Sequence, residues 1–175
     1  LVGRMMNCRA CLLRDASPIP VMPRGDIYSP LAFVGMCPGE QEIQMGMPFV
    51  GPAGDELMRV LADLSINQRS IYITNAVLCR AHINGVNRDP IYDEILVCAN
   101  NLSCQMEIIQ PKVIVPLGAV AYRAVVGKVA PSMRQVCGIA IQKDYSWGST
   151  MVIPTYHPSY LARLYGSSQY DGARE

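Results

Sequence analysis

Leu31-Ala32-Phe33-Val34-Gly35-Met36-Cys37-Pro38-Gly39-Glu40 is the stretch on which the fold turns. A short apolar run ended by glycine reads as a strand buried on both faces, leading into a tight loop. Working outward, Ile71 to Thr74 reads as a second strand, Lys112 to Pro116 as a third and Met151 to Pro154 as a fourth. Helical spacing recurs between them. Leu57, Val60, Leu61 and Leu64 mark a helix from Gly54 to Leu64, with Asp55 favourably placed in its first turn. An irregular stretch with His82, Gly85, Asn87 and Pro90 precedes a long helix to about Ile109, and Gly118 to Val126 reads as another. Strands alternating with helices predict an α/β fold, one domain over 1–175 with a central four-stranded parallel sheet flanked by helices. Ligands of such sheets bind beyond the carboxyl ends of the strands. The loops after Val34, Thr74 and Pro154 are therefore expected to share one crevice.

Half of the 175 residues are hydrophobic, and that length is sufficient for a buried core. No run reaches the roughly 18 to 20 apolar residues of a membrane helix, so no membrane association is expected. Seven cysteines is an odd number, and no charged-then-apolar leader is visible. A secreted disulfide framework is thus a poor fit and a reducing cytosol a better one. The formal net charge of +1 is low for a nucleic-acid binder. Thiolates around a metal cluster would lower it further, so any such binding must rest on local basic patches.

The cysteines carry a pattern. Cys8-Arg9-Ala10-Cys11 is a C-x-x-C pair, Cys79 follows the second strand and Cys98 lies in the long helix. Two thiolates so spaced can face one metal centre and the distant pair can close its shell, as in zinc or iron–sulfur ligation. On spacing alone, four buried free cysteines are as good a reading.

Further motifs stand in order along the chain. Val34 to Glu40 is followed by Met47-Pro48-Phe49-Val50-Gly51-Pro52-Ala53-Gly54, by Ile73-Thr74-Asn75-Ala76-Val77-Leu78-Cys79-Arg80, and by Pro154-Thr155-Tyr156-His157-Pro158-Ser159-Tyr160-Leu161. Together with the cysteines these resemble the family four (iron–sulfur) uracil-DNA glycosylases, from Cys8 to Arg163. The resemblance implies a monofunctional repair enzyme that flips uracil out of DNA and hydrolyses its N-glycosidic bond, leaving an abasic site. It implies a structural 4Fe–4S cluster on Cys8, Cys11, Cys79 and Cys98, with zinc as the less favoured metal. The partner is then DNA containing uracil, and the protein is expected to be a monomer, cytoplasmic and nucleoid-associated.

The residues can supply the contacts this chemistry needs. Asn75 offers both a donor and acceptors, matching the N3–H and O4 of uracil and mismatching cytosine. A strand-end asparagine can equally satisfy loop backbone. Phe49 has a flat face for stacking a base, and His157 can donate to uracil O2 as negative charge develops there. Ser159 and the loop glycines are expected to hold phosphates, and the resemblance implies that Leu161 wedges into the duplex. Tyr160, Arg163, Asn87 and Arg88 are candidate strand contacts. The family motif has a glutamate where this chain has Met36, which questions carboxylate-dependent steps there. The backbone amides of Met36 and Cys37 still suit an oxyanion, and Glu42 is the candidate for positioning water or crowding a thymine methyl. Cys37 is an extra thiol, inert or reactive, and the Cys79 to Cys98 loop is slightly long. The tail after Arg163 is expected to lack a terminal helix. Met36 leaves two alternatives open: a non-cleaving binder of DNA or of a protein, and a glycosylase for another deaminated base.

Overall fold

In the computed structural model, which describes residues 1–17 and 19–164, the chain starts with α1 (Val2–Met6) and α2 (Leu13–Ala16). There follow β1 (Arg24–Gly25), β2 (Leu31–Gly35), α3 (Glu40–Met45), α4 (Pro52–Asp63), β3 (Tyr72–Asn75), and the short strands β4 (His82–Ile83) and β5 (Val86–Asn87). The rest is α5 (Tyr92–Ile109), β6 (Val113–Pro116), α6 (Ala119–Val126), α7 (Met133–Val136), β7 (Ile141–Tyr145), β8 (Gly148–Val152) and α8 (Pro158–Leu164). The tail expected to lack a helix lies outside the described residues.

Strands β2, β3, β6 and β8 form the expected parallel centre, in the spatial order β3-β2-β6-β8. Ala32 pairs with Tyr72, Leu31 with Val113, and Val113 with Met151. The sheet is wider than four strands. β1 and β7 add antiparallel edges beside β3 and β8. The first is too short to leave a periodic signal, and the second alternates half-buried with exposed residues as an edge does.

The two faces of β2 divide the core. Ala32 and Val34 join Leu102, Met106 and Ile109 of α5 and Ala121 and Val125 of α6 on one side. Phe33, on the other, meets Leu57 and Leu61 of α4, with Ile71 and Ile73. Period-two alternation within an entirely apolar run thus serves two helical layers. Pro52 starts α4 at a position where its missing N–H is harmless. One polar chain is buried between α5 and the sheet: Tyr72 Oη donates to Gln105 Oε1 at 3.1 Å and Gln105 Nε2 to the Asn101 carbonyl at 3.2 Å. Among the described residues no helix is long and apolar enough to cross a membrane.

A third cluster ties the amino terminus down. Met5 and Leu13 pack with Val77, Leu78, Ala81, Ile95 and Cys98. Short helices such as α1 and α2 are unstable alone, so this packing and whatever the cysteines hold must fix them.

Leu61 is 1 % exposed beneath α4. Leu61→Ala should lower the unfolding free energy by about 2–5 kcal/mol with an unchanged denaturant slope, measured by urea titration.

Candidate active site

Parallel strands share a direction, so the loops after β2, β3, β6 and β8 leave the sheet at one edge. There they enclose a cleft of about 480 Å³ whose walls include Met36, Asn87, Asp89, Gly118, His157 and Arg163. A recess of about 50 Å³, lined by Cys37, Gly39, Glu42, Phe49, Asn75 and His157, shares Cys37, Gly39 and His157 with the cleft. Asn75, Phe49, His157 and Glu42, expected together from their motifs, do meet.

Asn75 ends β3, is 3 % exposed and turns into the recess. Among the described residues its side-chain amide has no hydrogen-bond partner, so the loop-capping role is not realised. The amide is left free to pair with a ligand of complementary edge in the recess. Gly35 makes the recess possible. A Cβ there would overlap both Asn75 Oδ1 and the Phe49 ring.

Phe49 holds a left-handed backbone, φ +56°, unusual for a bulky residue and characteristic of over-determined functional positions. The determinants are visible. Arg24 Nη2 donates to its carbonyl at 3.3 Å. Glu42 Oε1 accepts from Val50 N at 3.1 Å and Gly51 N at 2.9 Å, while Oε2 accepts from Gly39 N at 3.1 Å. The Phe49 ring lies 6.3 Å from the His157 ring at 29°.

Ser159 N donates to His157 Nδ1 at 3.1 Å, and Ser159 Oγ lies 2.8 Å from the same nitrogen. A backbone N–H can only donate, so Nδ1 accepts and the neutral ring carries its proton on Nε2. Burial, then the Arg163 charge, lowers the His157 pKa, against weaker opposing effects of Asp89 and Glu42. The imidazole is a neutral donor. Burial pushes the Cys37 thiol up to about 11, so it stays protonated near neutrality and inert.

Several expected strand contacts are engaged elsewhere. The Ser159 hydroxyl serves His157. Arg88 makes a two-pronged pair with Glu94, at 2.8 and 2.6 Å, and Glu94 also accepts from Ile91 N at 2.8 Å. Asn87 Oδ1 accepts from Arg80 Nε at 2.7 Å. Tyr160 stacks on Tyr156 at 5.1 Å. Leu161, expected to project as a wedge, is instead 7 % exposed, because α8 lies against α4 and its apolar side faces inward. Arg163 lines the cleft. Sequence reasoning missed Asp89, the one carboxylate among the residues lining that cleft. Its only signal was its place beside Asn87 and Arg88.

Cys8, Cys11, Cys79 and Cys98 line a separate small pocket with Asn101. Asn101 Nδ2 lies 4.0 Å from Cys8 Sγ and 3.8 Å from Cys98 Sγ, as a donor to both sulfurs. Among the described residues no three His, Cys, Asp or Glu side chains converge on a single ion. Four cysteine sulfurs lining one pocket are the donor set of zinc and of iron–sulfur centres alike. Burial, reinforced by Cys98 and Cys11, pushes the Cys79 thiol up to about 12. Thiolates gathered in one pocket need a cationic centre to offset their mutual repulsion. The donor set fits a cluster.

The uracil DNA glycosylase superfamily model matches residues 22–173. The chain is 40 % identical over 161 residues to the type-4 uracil-DNA glycosylase of Thermotoga maritima, covering 91 % of this chain and 80 % of that one. It is 35 % identical over 166 residues to the type-4 enzyme of Sulfurisphaera tokodaii, covering 92 % and 73 %. To the type-5 uracil-DNA glycosylase of Pyrobaculum aerophilum it is 27 % identical over 191 residues, covering 91 % and 81 %.

Nitrogen-15 NMR should find His157 as the Nε2–H tautomer, titrating below the ordinary imidazole range. Arg163→Ala should raise that midpoint, since the cation lowers it. Because the folded value lies below the unfolded one, this histidine costs the fold stability as pH falls through the ordinary range and below.

Proposed function

Because the chain belongs to the uracil DNA glycosylase superfamily, we propose that it is a type-4 DNA repair enzyme, a monofunctional uracil-DNA glycosylase. It takes uracil out of DNA and hydrolyses the N-glycosidic bond. The observation that carries this reading is the unpaired Asn75 amide of an otherwise buried residue, facing a recess between Phe49 and His157. Its Oδ1 accepts from uracil N3–H and its Nδ2 donates to O4. Cytosine presents the reverse pattern and leaves both groups unpaired. Phe49 stacks on the flipped base. Glu42, held by three backbone N–H groups, cannot swing aside for a 5-methyl group, which disfavours thymine.

The reaction follows from these placements. As the C1′–N1 bond breaks, its electron pair moves onto uracil and charge gathers at O2, where His157 Nε2–H donates. The sugar is left as an oxocarbenium ion in the cleft. Water adds to C1′ and releases a proton, which the Asp89 carboxylate accepts. Met36 cannot do this. Among the described residues lining cleft and recess there is no lysine, which supports hydrolysis rather than an amine-linked intermediate. The backbone amides of the Met36–Cys37 segment add to the O2 site.

Cys8, Cys11, Cys79 and Cys98 hold a 4Fe–4S cluster in this reading, with Asn101 donating to two of the sulfurs. When bound, the cluster supplies thiolate–iron bonds that join the amino terminus, the end of β3 and α5. Its pocket shares no lining residue with the cleft, which supports a structural role.

Single-turnover release from oligonucleotides carrying uracil, hypoxanthine, xanthine or a thymine mismatch tests the reading. Uracil should be preferred, His157→Ala should be slower by about a hundredfold or more, and Asp89→Asn by about tenfold or more. Asn75→Asp should lose uracil excision. DNA binding without release of any base would replace the enzyme by a binding module. Anaerobically purified protein should be brown, with about four irons per chain, and Cys98→Ala should lose soluble yield before specificity. Stoichiometric zinc without iron would remove the cluster and leave the glycosylase reading intact.

A further inference from the structure

Between β3 and α5 the chain leaves the cleft wall as a hairpin that none of this chemistry uses. β4 and β5 pair antiparallel, His82 opposite Asn87 and Ile83 opposite Val86. Asn84 and Gly85 close the turn with φ +50° and +81°, the type I′ geometry favoured in two-residue hairpins. At the tip, Ile83 is 62 % and Val86 72 % exposed. Directly opposed residues point to one face. Two branched apolar side chains therefore stand together in water.

The arm that carries them is braced. Arg80 donates from Nε to Asn87 Oδ1 at 2.7 Å and from Nη2 to the Gly85 carbonyl at 2.6 Å. The same Nη2 reaches Glu40 Oε2 at 3.5 Å, which ties the hairpin to the start of α3. Gly85 N also donates to His82 Nδ1 at 3.4 Å. Asn87, at the end of β5, and the following Arg88 and Asp89 line the cleft. The second strand of the hairpin thus runs directly into the active-site wall.

Resting on the glycosylase reading, we propose that this tip is the protein's duplex wedge: Ile83 and Val86 press into the base stack beside the cleft as uracil leaves it. Taking a base out of a duplex costs stacking and pairing, and apolar side chains inserted between base steps are a recurrent means of offsetting that cost. Leu161 cannot serve while it is buried. The hairpin offers what insertion requires, a small apolar point on a stiff support next to the pocket that receives the base.

The double variant Ile83→Ser/Val86→Ser tests this. Both residues are exposed, so the unfolding temperature should match wild type. Single-turnover release should fall about tenfold or more from duplex substrate and stay within about twofold on the same strand unpaired. The fluorescence rise of 2-aminopurine placed next to the uracil should be lost when the variant binds duplex. An unchanged duplex rate, or an equal loss on both substrates, overturns the wedge; the first outcome would point to a protein partner at the tip. If wild type releases no uracil even from single strands, the glycosylase reading fails. The 2-aminopurine signal then decides the wedge separately: a rise with wild type but not with the variant supports it, and any other pattern rejects it.

Discussion

The Glu42 carboxylate holds the site together. Its two oxygens accept from Gly39, Val50 and Gly51, tying the loop that follows β2 to the turn that presents Phe49. Hydrogen bonds to a charged group contribute about 1.5–3 kcal/mol each, sufficient to hold Phe49 in a backbone conformation its side chain disfavours. The recess exists because of this link. Asn75 comes to it from the end of β3, His157 from the start of α8, and Gly35 leaves room for both Asn75 and Phe49. Chemistry that depends on sub-ångström placement of donors needs such a tie.

Charge is used sparingly around the site. His157 is held neutral by burial and by Arg163, so it donates without competing with DNA phosphates or counterions. Arg88 is neutralised by Glu94, which leaves Asp89 without an ion-pair partner among the described residues at the mouth of the cleft. An anion there opposes DNA binding and favours a positive sugar. Interactions stronger in the transition state than in the ground state are those that raise the rate. Met36, which cannot act as a base, sits in the same cleft, so in the proposed reaction the carboxylate role falls to Asp89, in the loop before α5.

The parallel centre of the sheet was legible in the sequence because Leu31–Gly35 and its partners are short apolar runs bounded by loop residues. The edges were not. β1 is two residues long, and β7 reads as polar alternation that also occurs in loops. Asn75 and His157 were legible because strand ends in such sheets must converge, and Phe49 through the motif around it. Burial of Leu161 was not, since it depends on how α8 rests on α4, a packing choice no local pattern encodes. The hairpin at His82 to Asn87 had a signal, Asn84-Gly85 between apolar residues, obscured by the irregular stretch around it. That the four cysteines line one pocket was one of the two readings their spacing left open.

In the proposed function the recess recognises uracil through the Asn75 amide, and free base tests that recognition without any DNA. Uracil added to nitrogen-15-labelled protein should shift the Asn75 side-chain amide and the His157 Nε2–H resonances together, with thymine and cytosine leaving both in place. Uracil that moves neither resonance, or moves the His157 signal equally in Asn75→Asp, would contradict the account.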